Sequence, residues 1–475
     1  MMTRSIAWRN EVDALGDVKV PRGAYYGAAT ARAVGNFPVS GVSLPLPLIR
    51  AMALIKAAVA EVHGEMGLLD EERARFIVLA AEEVASGALA RHFPVDVFQT
   101  GSGTSSHMNV NEVVARRAIE LAGPRLGTWT IHPNDHVNLG QSSNDVFPSA
   151  IHLAVVEAMR DELRPALERM AGVLEEHARA WHDILKLGRT HLMDATPIRL
   201  GQEFGGYAAQ VRMGLEALQR STDALLELPL GGTAVGTGVN GHPDVPAKAC
   251  AVLSRRTGLS LRPAHNPVAA VAARDALVHV SGTVRSVAVA AGKIAGDIRL
   301  LGSGPRGGLG ELQLPALQPG SSLMPGKVNP VLCESVLQVV AHVIGCDAAV
   351  VQGGLGGVLE LNTMMPMMAT RLLEAVTLLA RVVRQFTLLT LVDLRPVPER
   401  CAMWLEQSLA LVTALTPALG YDKAAALAGL ARRSGRTLRE VVQEEAGLEP
   451  HEVERLLDAA AMCAPDAKRV GHGGG

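Results

Sequence analysis

The chain has 475 residues, a formal net charge of −2 and a pI of about 6.7, so no general attraction to nucleic acid or to an anionic membrane is expected. Hydrophobic residues make up 48% of the chain and aromatic residues only 3%, a balance that favours closely packed helices over aromatic-rich sheets. The five cysteines form no CxxC pair and no metal-ligand spacing, which predicts a reduced, cytoplasmic protein without zinc or an iron–sulfur cluster. The N-terminal residues lack the apolar run of a signal peptide, and no membrane span is expected because no stretch approaches ~20 apolar residues.

Long helices dominate the predicted secondary structure. Short turns and modest helices are expected first, including one over Leu69–Arg91. Apolar residues at helical spacing then predict a helix of roughly 35 residues between Val146 and Trp181. Further long helical segments are predicted at Thr196–Leu228, Ala269–Leu301, Asn329–Val351 and Met365–Leu391.

These patterns divide the chain into four regions. We predict an N-terminal mixed helical domain over 1–141, a central long-helix bundle over 142–394, a small helical C-terminal domain over 395–462 and a disordered tail over 463–475. Ala269–Leu301 is apolar on most sides and therefore needs burial on most sides. A homo-oligomer whose subunits complete the bundle is the predicted solution.

Two polar segments precede predicted helices in the first part of the chain. Thr100–Asn109 is dense in hydroxyls and glycine and precedes a helix expected near Asn111, although an ordinary capping loop has the same composition. His132–Asp145 brings Gln141–Asn144 to the start of a long helix, where the helix dipole favours anions. The two histidines and the aspartate at 132–136 fit no metal-site spacing, so no metal ligands are predicted.

Two more polar segments lie further along the chain. Gly188–Pro197 places His191 between Thr190 and a helix, and both a structural and an acid–base role stay open for this imidazole. Gly320–Pro330 is a glycine-hinged loop with adjacent serines, a lysine and an asparagine, and Asn329 is a candidate N-cap for the next helix. Glu334 is expected in the first turn of that helix.

Together the segments predict a site for a small dianion. Hydroxyl, amide and backbone N–H groups can hold carboxylates, and Lys327 supplies a positive charge. Such a site suits reversible loss of a group beta to a carboxylate, which needs a base, stabilisation of an enolate-like dianion and an acid for the leaving group. Ser321 can be the base only if N–H groups and Lys327 stabilise its alkoxide, and His191 with Glu334 can serve the leaving group.

The motifs resemble those of the fumarase/aspartase superfamily, in the same order along nearly the whole chain. GSSLMPGKVNP at 320–330 resembles its signature loop, and TGSGTSSHMNVNE, HPNDHVNLGQSSND, GRTHLMDATP and GGTAVGTGVN match its other blocks. The wording GTAVGTG at 232–238 and GYDKAA at 420–425 is similar to class II fumarases in particular.

The resemblance implies a mostly α-helical homotetramer with a core of about twenty helices, active sites shared between three subunits, a small dicarboxylate substrate and no cofactor. It implies hydration of fumarate to L-malate, with Ser321 as the base and His191, paired with Glu334, as the acid/base partner. The substrate-contacting positions that it implies are Ser102, Gly103, Thr104, Ser142, Ser143, Asn144, Thr190, Ser322, Lys327, Val328 and Asn329. It also implies a secondary dicarboxylate site at His132, Pro133, Asn134 and Asp135.

Several positions depart from the usual fumarase sequence, including Asn266–Val268 and Asn362–Pro366. His107 stands where Asn is usual, Met193 where Gln is usual, and Trp129 where some fumarases have an Arg at the secondary site. The first two keep an ammonia-lyase acting on aspartate or a related amino acid as an alternative. A non-catalytic structural or binding homologue is a further alternative, which the presence of Ser321 and His191 disfavours.

Overall fold

Helices make up most of the structure, a computed structural model that describes residues 7–127 and 129–465, and this confirms the predicted fold class. The tail predicted over 463–475 lies outside the described residues from position 466 onward. The α-helices are α1 Ala28–Asn36, α2 Leu46–Glu65, α3 Glu71–Ala85, α4 Thr104–Ala122, α5 Ser143–Ala158, α6 Arg164–Ala180, α7 Leu200–Thr222, α8 Val245–Thr257, α9 Pro267–Ala272, α10 Asp275–Leu301, α11 Val331–Gly354, α12 Met365–Phe386, α13 Pro398–Gln407, α14 Thr416–Leu419, α15 Tyr421–Ser434, α16 Leu438–Glu445 and α17 Pro450–Leu456. Single 3-10 or π turns lie at Ala90–His92, Gly123–Leu126, Pro133–Val137, Met159–Leu163, Asp223–Leu226, Thr387–Leu391, Leu409–Ala414 and Ala460–Cys463.

The strands are short and pair locally. β1 Trp8–Asp13 pairs antiparallel with β2 Gly16–Pro21, and β3 Leu185–Thr190 pairs antiparallel with β4 Met193–Arg199. The other described strands have two residues each: β5 Glu227–Leu228, β6 Arg262–Pro263, β7 Leu312–Gln313, β8 Gly357–Val358, β9 Leu361–Asn362 and β10 Arg395–Pro396. β5 pairs with β6 in parallel, whereas β7 pairs with β10 and β8 with β9 antiparallel.

The described residues form two compact units, each built from three separate stretches of chain. The first unit takes its residues from Met1–Pro165, Glu216–Ala288 and Val340–Ala380, and the second from Ala166–Leu215, Val289–Val339 and Arg381–Gly475. The unit boundaries fall inside the long helices α6, α7, α10, α11 and α12. The domain limits predicted at 141, 394 and 462 stay predictions.

Each unit has its own apolar core. In the first unit, α2 is buried along most of its length and packs against α3, α5 and α8. Its many alanines let neighbouring helices approach closely. In the second unit, Leu187 of β3 packs into a cluster with Leu415, Leu438 and Val441 from the C-terminal helices. This contact anchors the β3–β4 hairpin to the C-terminal helices of the same unit.

The long helices agree with the sequence pattern except near their starts. Residues 143–180 are helical through α5, a π turn and α6, close to the predicted helix from Val146 to Trp181. The helix predicted over Ala269–Leu301 is divided at 273–274 into α9 and α10, and two further predicted starts are wrong. The helix predicted from Thr196 begins at Leu200, because residues 196–199 pair with β3, and the helix predicted near Asn111 begins at Thr104.

Helix α11 corrects one expectation from the sequence. Its 24 residues are long and apolar enough to cross a membrane by length and composition, so one stretch does reach that length. One such helix is weak support for a membrane protein, because core helices of soluble proteins have the same composition. Only 39% of its most apolar window is buried within one chain, and Ile344 and Val351 remain exposed on it.

Candidate active site

A chain of hydroxyl groups joins the first two predicted segments within the first unit. Ser102 Oγ lies 2.7 Å from Thr104 Oγ1, which lies 2.6 Å from Ser143 Oγ. Gly103 has a φ of 75°, and a Cβ there would lie 2.3 Å from the Phe147 ring. Only glycine fits this position, so it permits the close approach of α4 and α5. The structure therefore brings Ser102, Gly103, Thr104 and Ser143 together.

The start of α5 is held by a dense set of hydrogen bonds. The Ser142 hydroxyl accepts from the N–H of Asn144, and the Asp145 carboxylate accepts from the N–H of Ser142, which together form a capping box. Asp145 also accepts from two N–H groups of the 231–233 turn, and the Asn144 amide donates to the Ala234 carbonyl. The polar groups of Ser142, Ser143 and Asn144 are thus fixed at the positive end of a helix dipole, a favourable place for a carboxylate.

A buried lysine that sequence reasoning missed lies beside these segments. Lys56 has no exposed surface; its amino nitrogen lies 2.7 Å from His107 Nε2 and donates to Asn138 Oδ1 at 2.8 Å and Gln141 Oε1 at 3.0 Å. Burial and the charge of Lys56 hold the pKa of His107 well below its ordinary value, so this imidazole is neutral. A lone lysine within the apolar run Met52–Ala60 was the available sequence signal.

A cavity of about 230 Å³ adjoins the start of α5 in the first unit. Gln141 and Asp145 line it together with His63 and His242. Burial, reinforced by His242, lowers the pKa of His63 to about 4, so near neutral pH His63 offers hydrogen bonds and no charge. Its lining combines these polar groups with apolar residues such as Val59 and Leu230.

His191 lies at the tip of the β3–β4 hairpin in the second unit. Thr190 pairs with Met193 across a two-residue turn formed by His191 and Leu192, whose φ values are 56° and 62°. Such turns prefer Asn-Gly because both central residues have positive φ. His191 and Leu192 are both exposed and both strained, a combination that is common at functional sites.

A buried ion cluster supports the hairpin from within the same unit. Arg189 donates to both oxygens of Glu311, at 2.8 and 3.1 Å, and Glu311 has no exposed surface. Lys186, on the same strand, lies 3.3 Å from Glu311 and 3.2 Å from Glu203. Asp194 on β4 accepts a hydrogen bond from Ser408 at 2.7 Å. These contacts fix the backbone on both sides of His191.

The loop Gly320–Pro330 is closed by its own backbone and by one amide side chain. The N–H of Gly320 donates to the Lys327 carbonyl, and the Asn329 side chain donates to the Gly320 carbonyl, both at 2.7 Å. Helix α11 begins at Val331, two residues after the predicted cap Asn329. Ser322, Lys327 and Val328 are exposed in this loop, where they can meet a ligand.

Ser321 has the polar surroundings that its predicted role requires. Its Oγ accepts hydrogen bonds from the N–H groups of Leu323 at 3.1 Å and Met324 at 3.0 Å. Two N–H donors directed at one oxygen stabilise negative charge on it. Glu334 lies in the first turn of α11, as predicted, but no described hydrogen bond or ion pair joins it to His191 within one chain. The predicted pair of His191 and Glu334 stays a prediction.

The predicted secondary site forms a single exposed turn. His132 Nδ1 accepts from the N–H groups of Asn134 and Asp135 and lies 3.3 Å from the Asp135 carboxylate. The Arg73 guanidinium lies over the Trp129 ring, 5.0 Å from its centroid. A cation is therefore present near the position where some fumarases have an Arg. The residues His132, Pro133 and Asn134 line a cleft of about 770 Å³ in the first unit, and binding of a dicarboxylate there stays a prediction.

One described cluster has ligands that suit a metal ion. His342, Cys346 and Glu374 hold their donor atoms within 4.8 Å of one another. The Arg371 guanidinium already pairs with Glu374, and this cation competes with any metal for the carboxylate. The cluster shares no residue with the four polar segments.

Comparison with known proteins assigns the family. Residues 16–345 match the family model described as lyase, and residues 411–464 match the one described as fumarase C C-terminus. Curated class II fumarate hydratases from Halobacterium salinarum and Mycobacterium tuberculosis are 48% and 49% identical, covering 96% and 97% of this chain and 97% of each relative. A crystal structure of class II fumarase from Schistosoma mansoni superposes with a TM-score of 0.93 at 37% identity, covering 96% of this chain and 99% of that one. The chain therefore belongs to the class II fumarate hydratase family of lyases.

Proposed function

We propose that the protein catalyses the reversible hydration of fumarate to L-malate with Ser321 as the base. Family membership over nearly the full length supports the reaction. The observation that carries the residue assignment is the pair of N–H groups on Ser321 Oγ, since an alkoxide base must be stabilised before it can take a weakly acidic proton.

The reaction is simplest to describe in the direction of dehydration. The Ser321 alkoxide takes the proton alpha to one carboxylate of malate, and the released electron pair moves onto that carboxylate as an enolate-like dianion. Lys327, Asn329 and the N-terminus of α11, the helix that follows them, stabilise this charge. The electron pair then forms the double bond, and the beta hydroxyl leaves as water after His191, paired with Glu334, delivers a proton to it.

The active site is proposed to be shared between subunits of a homotetramer. No described hydrogen bond or ion pair joins His191 to Glu334 within one chain, and both are exposed. Leu192, Met193 and Leu323 beside them are apolar and more than two-thirds exposed, as at surfaces that another subunit covers. Four buried cysteine thiols and the free Cys463 support a reducing, cytoplasmic location for this assembly.

An ammonia-lyase acting on aspartate is the second candidate function. Its main support is the departure from the fumarase sequence at Met193. His107, the other departure, is 1% exposed and bound to Lys56, so it points into the core of the first unit and not toward open solvent. Met193 remains exposed beside His191 at the hairpin tip. A change at this position is the one that can alter which leaving group is accepted.

The decisive assay follows the ultraviolet absorbance of fumarate with L-malate and L-aspartate as separate substrates of the purified protein. Formation of fumarate from malate alone is expected. Formation from aspartate would replace the proposal with the ammonia-lyase. No formation of fumarate from either substrate would reject the hydratase and the ammonia-lyase and favour the non-catalytic homologue.

A further inference from the structure

The buried ammonium of Lys56 connects elements that are far apart in sequence. Lys56 lies in the middle of α2, His107 lies on α4, and Asn138 and Gln141 precede the start of α5. In its protonated form, the Lys56 amino group has three N–H donors and no acceptor, so these three acceptors use its full hydrogen-bonding capacity. In this form neutral His107 presents a lone pair at Nε2 and carries its proton on Nδ1.

This arrangement is costly for a purely structural contact. Burial lowers the pKa of Lys56 to about 7, although the buried Asp145 carboxylate opposes the shift. An apolar side chain of similar length would fill the same space between α2, α4 and α5 without desolvating a charge. Filling space in the core of the first unit therefore does not account for a lysine at this position.

The three acceptors adjoin the two predicted substrate-binding segments of the first unit. His107 follows Thr104 by one turn on α4, and Gln141 directly precedes Ser142. Gln141 also fixes the backbone just before Ser142, because its amide group donates to the carbonyls of Val137 and Leu139. Lys56 thus contacts residues of both segments, whose hydroxyl oxygens lie 2.6–2.7 Å from one another.

We infer that Lys56 is a positioning residue, which sets the spacing between the Ser102–Thr104 hydroxyls and the Ser142–Asn144 helix start through His107, Asn138 and Gln141. The inference rests on the proposed function, since it takes these hydroxyls to bind a dicarboxylate. Lys56 itself does not touch the substrate in this scheme. A displacement of binding groups by about 1 Å is enough to weaken binding or turnover strongly.

The test compares Lys56→Met with the pair His107→Asn and His107→Leu. Lys56→Met keeps the length of the side chain and removes all three donors, so the KM for malate should rise by ~10-fold or more, the size expected for losing hydrogen bonds of a charged group. The kcat should change much less, because binding of the ground state and of the transition state is weakened alike. His107→Asn retains an acceptor for Lys56 and should stay close to the wild type, whereas His107→Leu should raise KM like Lys56→Met.

A matched control separates positioning from general destabilisation. His152 is also buried, lies on α5 and bonds the Glu227 carbonyl at 2.9 Å, far along the helix from Ser142. His152→Gln should lower stability without changing the KM for malate. If His152→Gln raises KM as much as His107→Leu, or if His107→Leu leaves KM unchanged, the positioning role is rejected.

A second measurement does not depend on catalysis. Hydrogen–deuterium exchange followed by mass spectrometry should show faster exchange over 100–107 and 138–145 in His107→Leu, with no change over 185–199 of the second unit. Unchanged exchange in both segments would overturn the inference even if malate is turned over. Faster exchange with an inactive wild type would instead reject the proposed function and retain the role of Lys56.

Discussion

Ser321 lies in a polar loop and has a local hydrogen-bond pattern that suits a base. Its hydroxyl oxygen accepts two backbone N–H bonds, and its side chain makes no described contact with the apolar core. We expect Ser321→Ala to lower kcat by at least ~100-fold, the range of general-base catalysis, with the unfolding midpoint nearly unchanged. Steady-state kinetics with malate and thermal unfolding test this together. Near-normal kcat would exclude Ser321 as the base.

His191 occupies a turn position that histidine rarely adopts. The turn prefers Asn at its first central position, so His191 there costs about 1 kcal/mol or more of conformational free energy. His191→Asn should therefore leave stability unchanged or slightly higher while kcat falls sharply. Chemical denaturation and malate kinetics measure the two effects. A destabilised variant would show that the imidazole serves the fold and not the reaction.

The buried Lys56 predicts how the free energy of unfolding depends on pH. Its pKa is about 7 in the folded chain and 10.5 in a solvated one, so between these values the unfolded chain holds more protons and stability rises with pH. The slope contributed is at most about 1.4 kcal/mol per pH unit. Lys56→Met should lack this contribution, so the stability difference between variant and wild type should change between about pH 7 and pH 8.5 in urea unfolding at one protein concentration. A constant difference would contradict the assigned shift.

At the scale of elements, the β3–β4 hairpin depends on Glu311. This carboxylate is fully buried between Lys186 and Arg189, and removing its charge leaves the largely buried Arg189 without its carboxylate and the buried Lys186 with only Glu203. Glu311→Gln should lower the free energy of unfolding by about 3–5 kcal/mol and lower kcat, because the strands that carry His191 lose their support.

The matched control for Glu311 is an exposed ion pair in the first unit. Glu216 lies 3.8 Å from Arg220, and both side chains are about 70% exposed. Glu216→Gln should change stability by less than about 0.5 kcal/mol. Equal losses in urea unfolding for the two variants would show that the buried cluster has no special role.

The helices show what sequence can and cannot predict. The 3.6-residue pattern located α11 and α12 within a few residues, because long apolar helices repeat the same signal many times, but it merged α9 and α10 into one helix. The start of α7 was wrong because residues 196–199 gain their hydrogen bonds from β3, a partner that local pattern does not reveal. The left-handed turn at His191 and the contact of Lys56 with His107 were also missed, since both depend on three-dimensional neighbours.

At the scale of the whole molecule, exposed apolar surface indicates further assembly. Much of α11 is uncovered within one chain, and the apolar residues at 323–324 and 192–193 are exposed beside the proposed catalytic groups. Monomeric soluble proteins rarely leave such surface open next to a reactive site. In the proposed homotetramer this surface would be buried, and the proposal places His191 of one subunit beside Glu334 and Ser321 of another.

Shared active sites can be tested by mixing two inactive variants. Ser321→Ala and His191→Asn each remove one group, and a site built from different subunits regains both groups in a fraction of mixed oligomers. The two variants, unfolded together and refolded, should therefore recover malate turnover well above either variant treated alone. The same variants refolded separately and then combined are the control, since intact oligomers exchange no subunits on the time scale of the assay if the interface is large. If co-refolding yields no recovery while the wild type refolds to full activity, Ser321 and His191 act within one chain, and the proposal of sites shared through these residues is wrong.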